Sequence, residues 1–574
     1  MKGYKIYTIV LLLSLVNTAC IKSFLDRTPG VPLDDDKVFA DPVQAARFAD
    51  NAYNSLINDY ARFNDHRGST SQASDEAVSG NSESSVTTLN RGLYHDHSNT
   101  ASLNDMRDVW KRMYEGIAIT NKMLDRMSTV PSAAIFPAAR VEGEMRFLRA
   151  FFYFELIKRF GGVPIIDKEY GVNDDVNLPR KTYDECVAFI NSDIDKAVPL
   201  LGNEADYSAS NYGRATKGAA LALKSRVLLY AASTLNNPSN NIQKWKAAAN
   251  AAKAVIDLNY YVLNQSYDNI LNFNPTPGTP SEYIMIKIRG PRAIDGIFAD
   301  YAMSPGSGGA QGQMNPTQNH VDMYEAVKKD AQGNITSAAA ITDATSGYNP
   351  QAPYVNRDPR FYSNILYNGA PWQGKQIETW SQTAANGSVS YGKDYNASNI
   401  TYTATRYYCK KYWPEVYVRL GGTSGTTLLN YIFFRYGEIL LNYAEALNES
   451  DGPVTDVYNA VNQIRARVGM PGLPAGLDQA KMREAIRRER AIELAFEDHR
   501  WYDIMRWKNG PDVIAKPMYG MNVVKNTNGT FTYTPVLLGT NFQKVYLEYM
   551  HRYPIPKQEI YKSKGVLVQN PGWE

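Results

Sequence analysis

Apolar residues recur at helical spacing through most of the first 260 positions. In 43–57, Phe48, Ala49, Ala52, Tyr53 and Leu56 fall on one stripe, which predicts an amphipathic helix. A polar stretch rich in Ser, Asn and Asp, 64–99, separates it from a second helix marked by Val109, Met113, Tyr114, Ile117 and Met123; Trp110 sits in the same apolar pattern and reads as core. A third helix begins near Pro137 and passes through Glu144, Arg149, Ala150 and Phe152. It stops at Gly161, Gly162 and Pro164, residue types that do not continue a helix well. Further helices are predicted over 183–201, 216–232 and 245–258, the last two rich in Ala, which lets backbones approach closely. Paired helices in succession suggest a helical-repeat scaffold, although no clean repeat stands in the sequence at that period.

From 261 to 430 the pattern changes to irregular runs of Gly, Pro, Asn, Thr and Tyr, with short strand-like pieces such as 283–288. Long irregular regions carried by a compact protein are usually functional. Helical spacing returns over 436–447, 454–468 and 480–507, followed by a mixed tail over 511–574. The chain therefore reads as mostly α: one unit over 20–574, with a helical base at about 40–260 and 430–510, a loop-rich insertion over 261–430 and a few short strands.

Composition narrows the function. With 44% hydrophobic residues in 574, the chain is an ordinary globular one, and a net charge of +3 without a dense Lys/Arg block argues against nucleic acid. The 40 Tyr are about twice ordinary usage and suit half-wet surfaces as well as cores. Lys2 and Lys5 precede an apolar run, 6–16, too short for a mature membrane span, so 1–19 reads as a signal peptide. Thr18 and Ala19 before Cys20 resemble the lipobox of bacterial lipoproteins, which implies lipidation at Cys20; ordinary cleavage leaving a free thiol is the alternative. Only Cys186 and Cys409 remain, so this is no disulfide scaffold.

The run from Arg487 to Trp507, including Arg490, Glu493, Glu497, Asp498, His499, Arg500, Trp501, Asp503 and Arg506, closely resembles the C-terminal signature of the SusD/RagB family. Phe24-Leu25-Asp26, Glu144 with Arg149-Ala150-Phe151, Arg357-Asp358-Pro359-Arg360, Tyr436-Gly437-Glu438, Asn442 to Ala446, Asn462 with Arg465 and Arg467, Pro554-Ile555-Pro556 and Gln569 to Gly572 follow in the family's order. The resemblance spans essentially the whole chain. It implies a surface-exposed lipoprotein of the outer membrane with four tetratricopeptide-like helix pairs. Such a protein would bind a glycan, glycopeptide or peptide and deliver it to a SusC-type TonB-dependent transporter, without catalytic machinery or cofactor.

Glu489, Glu493 and Glu497 share a helical face at a spacing that overlaps that of retaining glycosidase pairs. Arg487, Arg488, Arg490 and Arg500 stand close enough in sequence to pair with them, which lowers a carboxyl pKa where an acid catalyst needs it raised. No catalytic residue is therefore assigned. His95 and His97 lack a third metal ligand of recognisable spacing; His499 reads as a structural partner of a carboxylate; Gly306, Gly308 and Gly309 lack the context of a phosphate loop. Sugars ask for aromatic faces and for Asp, Asn, Gln or Arg aimed at hydroxyls. The candidates are Asp65, Arg67, Asp75, Tyr94 and His95 in the first polar region, and Asn315, Gln318, Trp372 and Trp380 in the second. Asp75-Glu76 also resembles a recurrent structural element of the family. A glycan-binding subunit, a peptide-binding subunit of the same architecture and a secreted hydrolase remain as readings, in that order.

Overall fold

The computed structural model describes residues 35–62, 68–80, 85–93, 107–171, 173–175, 177–264, 266–268, 270–290, 292–293, 302–308, 311–399, 401–413, 415 and 426–573. Helix α1 (Asp35–Ala40) leads into α2 (Pro42–Asn51). The Asp41 side chain accepts from Val43 N, and Pro42 occupies the first turn, where a missing N–H costs nothing. Helix α3 (Arg107–Arg126) packs on α4 (Ala138–Phe160), which stops at Gly161 with φ of 76°, a conformation that glycine adopts freely. Almost every residue of α4 beyond Met145 is buried, so this helix runs through the interior. Helix α5 (Tyr183–Ala197) opens with a capping box in which Glu185 N donates to Thr182 Oγ1 and Thr182 N to Glu185 Oε2.

Helices α6 (Lys217–Ala232) and α7 (Ile242–Ile256) pack side by side through buried alanines, among them Ala219, Ala222, Ala248 and Ala252. After the insertion, α8 (Tyr436–Asp451) lies against both, and α9 (Thr455–Arg467) and α10 (Gln479–Glu493) pack on α8. Successive helices thus stack as the apolar pattern predicts, in a mostly helical, tetratricopeptide-like scaffold. Buried ion pairs fix their rotation. Arg149 of α4 reaches Asp193 of α5 at 2.7 Å and Asn121 of α3 at 2.8 Å, and Arg226 of α6 grips both oxygens of Glu438 of α8 at 2.6 Å.

The expected helix 480–507 is two. Helix α10 ends at Glu493 and α11 (Arg500–Trp507) begins after a turn in which Phe496 and Asp498 have φ of 63° and 64°. Left-handed backbone costs a non-glycine residue about 1 kcal/mol or more. Distant partners hold it here. Phe496 N donates to Glu76 Oε1 at 3.0 Å, Thr70 Oγ1 donates to Asp498 Oδ1 at 2.5 Å, and Arg62 Nε donates to Asp498 Oδ2 at 2.8 Å.

Short strands occupy the insertion and tail. Strand β1 (Ala77–Ser79) pairs antiparallel with β3 (Met314–Pro316), and β2 (Tyr283–Lys287) with β6 (Tyr431–Arg435), so the two ends of the insertion meet beside the start of α8. A four-stranded sheet has the order β5-β4-β7-β8, formed by β4 (Ser381–Thr383), β5 (Val389–Tyr391), β7 (Tyr519–Lys525) and β8 (Phe531–Leu537). Only its β4 and β7 run parallel. The tail thereby joins the insertion in one sheet. Cys186 and Cys409 are separate, buried free thiols.

Candidate functional site

Two features compete for attention: the buried carboxylates of the signature segment and the aromatic margin of the insertion. The carboxylates are saturated. Glu493 accepts from Arg435 Nη1 at 2.7 Å, from Arg467 Nη2 at 2.5 and 2.6 Å and from Arg360 Nη1 at 3.2 Å. Glu497 takes Arg435 Nε and Lys411 Nζ, each at 2.7 Å, while Glu489 takes Arg360 at 2.5 Å and Arg465 at 3.1 Å. Burial alone would raise the Glu493 carboxyl pKa, but Arg467, Arg435 and Arg360 overcome it and hold the group well below the usual carboxylate range. Glu497 is likewise held down by Arg435 and Lys411 against its burial. A carboxylate so held donates no proton near neutrality.

The partners differ from those that sequence proximity suggests. Arg490 turns to Asp503 and Asn442, Arg500 forms a two-point pair with Asp75, Arg487 lies beside Glu484, and Arg488 beside Glu325. The cations that neutralise the signature carboxylates come from α9, β6, residue 411 and Arg360, so the network fastens the insertion onto α10. In Arg357-Asp358-Pro359-Arg360, Asp358 caps the short helix Pro359–Asn364 and pairs with Arg360, whose other face reaches Glu489. His499 also departs from expectation. Its surroundings are cationic: burial first, then Arg226, Arg490, Arg435 and Lys158, hold its pKa well below the usual value.

A second buried cluster lies beneath β1. Asp75 Oδ1 and Oδ2 accept from Arg500 Nε and Nη2 at 2.8 and 2.9 Å, and Lys544 Nζ donates to the carbonyls of Gln72 at 2.8 Å, Ala77 at 2.7 Å and Ser74. Three acceptors call for three N–H groups, so Lys544 is an ammonium here, although burial pulls its pKa down to about 7. Burial raises Glu76 to about 7, against the Phe496 N–H that stabilises its ionised form. That is a pKa suited to proton transfer, but Glu76 is 1% exposed and faces protein.

The nine nominated ligand contacts separate sharply. Asp65, Arg67, Tyr94 and His95 lie outside the described residues, as does Cys20. Asp75 is buried in its pair with Arg500 and points inward, which corrects its nomination as a surface contact. Asn315, in β3, is wholly buried, donating to Gly312 O at 2.8 Å and accepting from Ala404 N at 2.9 Å. Gln318 donates to Asp322 Oδ1 at 2.6 Å and accepts from Tyr407 OH at 2.7 Å; its amide is spent on protein. Trp372 is 2% exposed, packed in the core through a two-residue hairpin, so its ring presents no face to solvent. Polar, Gly-rich surroundings in sequence do not reveal burial, because such segments can fold back over the core.

Trp380 is the nominated aromatic that stays half-buried, adjoining β4, with Lys525 Nζ 4.4 Å from its ring centre. The fold brings partners to it that sequence reading missed. Ser381 is in register with Val524, and Lys525 with Phe531, which places Phe531 and Tyr533 of β8 along the same sheet; both are half-buried. Tyr391 and Tyr395, also half-buried, meet edge to face at 5.5 Å, and Arg406 lies over the Tyr395 ring. The missed signal is a hairpin: alternating residues over 519–525 and 531–537 around Asn528-Gly529, where Gly529 has φ of 85°. Along this margin half-buried aromatic rings stand beside Lys525, while Arg406 is buried and donates to Thr379 O at 2.6 Å.

Comparison with known proteins agrees with this architecture. The family model described as "SusD family" matches residues 261–573, and one described as "Starch-binding associating with outer membrane" matches 23–229. SusD-like protein P2 of Formosa agariphila is 26% identical over 602 aligned positions, spanning the whole of both chains. A SusD-like protein from Bacteroides fragilis superposes with a TM-score of 0.73 at 28% identity, covering 94% of this chain and 99% of that one. A SusD-like carbohydrate-binding protein from the same species gives 0.71 at 22% identity, covering 92% and 99%, a likeness of fold. With a matching model over more than half its length and a scaffold shared with solved relatives, the chain belongs to the SusD family.

Proposed function

We propose that this protein is a surface-exposed lipoprotein of the outer membrane that captures an oligosaccharide and delivers it to a SusC-type transporter, performing no chemistry on it. The observation that carries the reading is family membership along both halves of the chain, one half by a model described as starch-binding and associating with the outer membrane. The site chemistry supports it. The signature carboxylates are held ionised by buried cations, and a half-exposed aromatic margin runs along Trp380, Phe531 and Tyr533. In this reading the ligand contacts are Trp380 together with Asp65, Arg67, Tyr94 and His95, while the helical stack serves as base and transporter contact. The test is titration calorimetry of the purified protein against oligosaccharide and peptide panels, with co-purification of the transporter from outer membranes. Saturable binding of an oligosaccharide and recovery of the transporter are expected. Binding confined to peptides would replace the glycan by a peptide ligand on the same architecture.

A further inference from the structure

We propose that a cleft on the helical scaffold is a second binding site, for a neutral oligosaccharide; this rests on the reading of the protein as a glycan binder. The cleft lies between the first half of α3, the segment following α4 and the short C-terminal helix Lys557–Lys562, and its volume is about 930 Å³. That is the size of a pocket for a small ligand. Its floor is aromatic: Trp110 and Tyr114, one turn apart on α3, have ring centres 5.2 Å apart. Tyr114 OH is spent on Pro164 O at 2.8 Å. Trp110 lines the floor at 5% exposure, and its indole N–H donates to none of the described residues. At the rim, the side-chain amides of Asn177 and Gln558 make no hydrogen bond among the described residues. An amide presents one acceptor and two donors, which matches neighbouring hydroxyls on a sugar ring.

Charge selects among sugars. The rim cations each have their own carboxylate: Lys111 lies 3.7 Å from Glu115, and Lys562 lies 2.6 Å from Glu559. The rim is balanced, so it offers an acidic polysaccharide no net attraction while still meeting hydroxyls with its free amides. Aromatic floor, unspent indole and amide groups, and balanced charge together describe a neutral oligosaccharide. The experiment titrates the full mature chain with neutral hexasaccharides of gluco, manno, xylo and galacto configuration and with hexagalacturonate, by calorimetry. The variants are Asn177→Ala with Gln558→Ala, and separately Trp380→Ala. A neutral sugar should occupy two sites, and the paired amide variant should weaken one of them about tenfold at unchanged Tm. The 19F resonance of 5-fluorotryptophan at position 110, assigned by its loss in Trp110→Phe, should shift on titration. A single site untouched by the amide variant overturns the cleft and leaves the loop reading standing. A single site lost in the amide variant and untouched by Trp380→Ala keeps the cleft and removes the loop site. Preference for hexagalacturonate at the cleft overturns its neutral specificity, and absence of binding across the neutral panel overturns the cleft proposal, the glycan reading falling with it only if hexagalacturonate also fails to bind.

Discussion

Two tryptophans eight residues apart in the insertion make opposite demands on the molecule. Trp372 is packed against the core, so Trp372→Ala leaves a large cavity and should cost about 3–5 kcal/mol of stability. Trp380 is only half-buried, beside Lys525; on the reading that it stacks on a sugar, Trp380→Ala should weaken binding several-fold, about 1 kcal/mol, at nearly unchanged melting temperature. Calorimetry and thermal melts separate the two, and full affinity in Trp380→Ala would remove it from the site. Both residues sit among Gly, Gln, Ser and Thr, so neighbouring polarity could not distinguish them; only the fold decides which ring turns inward. Buried carboxylates give a second prediction. Burial pushes Glu155 and Glu445 up, but Lys158 and Arg159 hold the first, and Arg506 the second, at about 2. With folded pKa values below the unfolded ones, their stabilisation is full above the ordinary carboxylate pKa near 4.5 and is lost as pH falls through about 2. Denaturant midpoints should therefore fall progressively below about pH 5, and a flat profile down to pH 2.5 would contradict the pairing.

Among the elements, periodicity located the long helices but not the break between α10 and α11. Leu494, Phe496 and Trp501 continue the apolar pattern across it, while the forces that make it, Glu76 on Phe496 N–H and Thr70 and Arg62 on Asp498, come from more than 400 residues away in sequence. The same limit applies to the ion pairs. That the signature carboxylates would be neutralised was legible from nearby arginines, yet Arg490 and Arg500 serve Asp503 and Asp75, and the actual partners Arg360, Arg435 and Arg467 belong to other elements. The break yields a test. Glu76→Ala should strand the Phe496 amide in the interior and cost about 1–3 kcal/mol, whereas Glu76→Gln retains an acceptor oxygen and should cost less. Because the folded pKa of Glu76 is raised to about 7, its contribution is full below the unfolded value near 4.5 and declines as pH rises through 7. Glu76→Gln should accordingly fare better relative to the parent at pH 8 than at pH 5. Equal melting of Glu76→Ala and the parent would show that the turn does not depend on this contact.

At the scale of the whole molecule, the helical base and the insertion are joined through buried charge, and this bears on whether the protein transforms what it binds. Arg360 comes from the insertion, Arg435 from its closing strand, Arg467 from α9, and all three converge on Glu493, which is 0% exposed. Removing one partner of a buried ionic cluster typically costs 3–5 kcal/mol, so Glu493→Gln should lower the melting temperature markedly; loss of any property in that variant reports unfolding before it reports chemistry. Glu76 is the sharper probe. Its pKa of about 7 is the one expected of a general acid or base, and its conservative glutamine variant keeps the local hydrogen bond. On the proposed reading, the purified mature chain incubated with oligosaccharide and peptide panels releases no product detectable by mass spectrometry, and Glu76→Gln binds with unchanged affinity. The geometry favours that outcome because the Glu76 carboxylate faces the Phe496 amide and the interior, with no accessible space in which a scissile bond could approach it. Turnover by the parent that vanished in Glu76→Gln at unchanged Tm would make Glu76 a proton-transfer group and the protein a hydrolase. Turnover surviving that change would make the protein a hydrolase whose proton-transfer group is not Glu76.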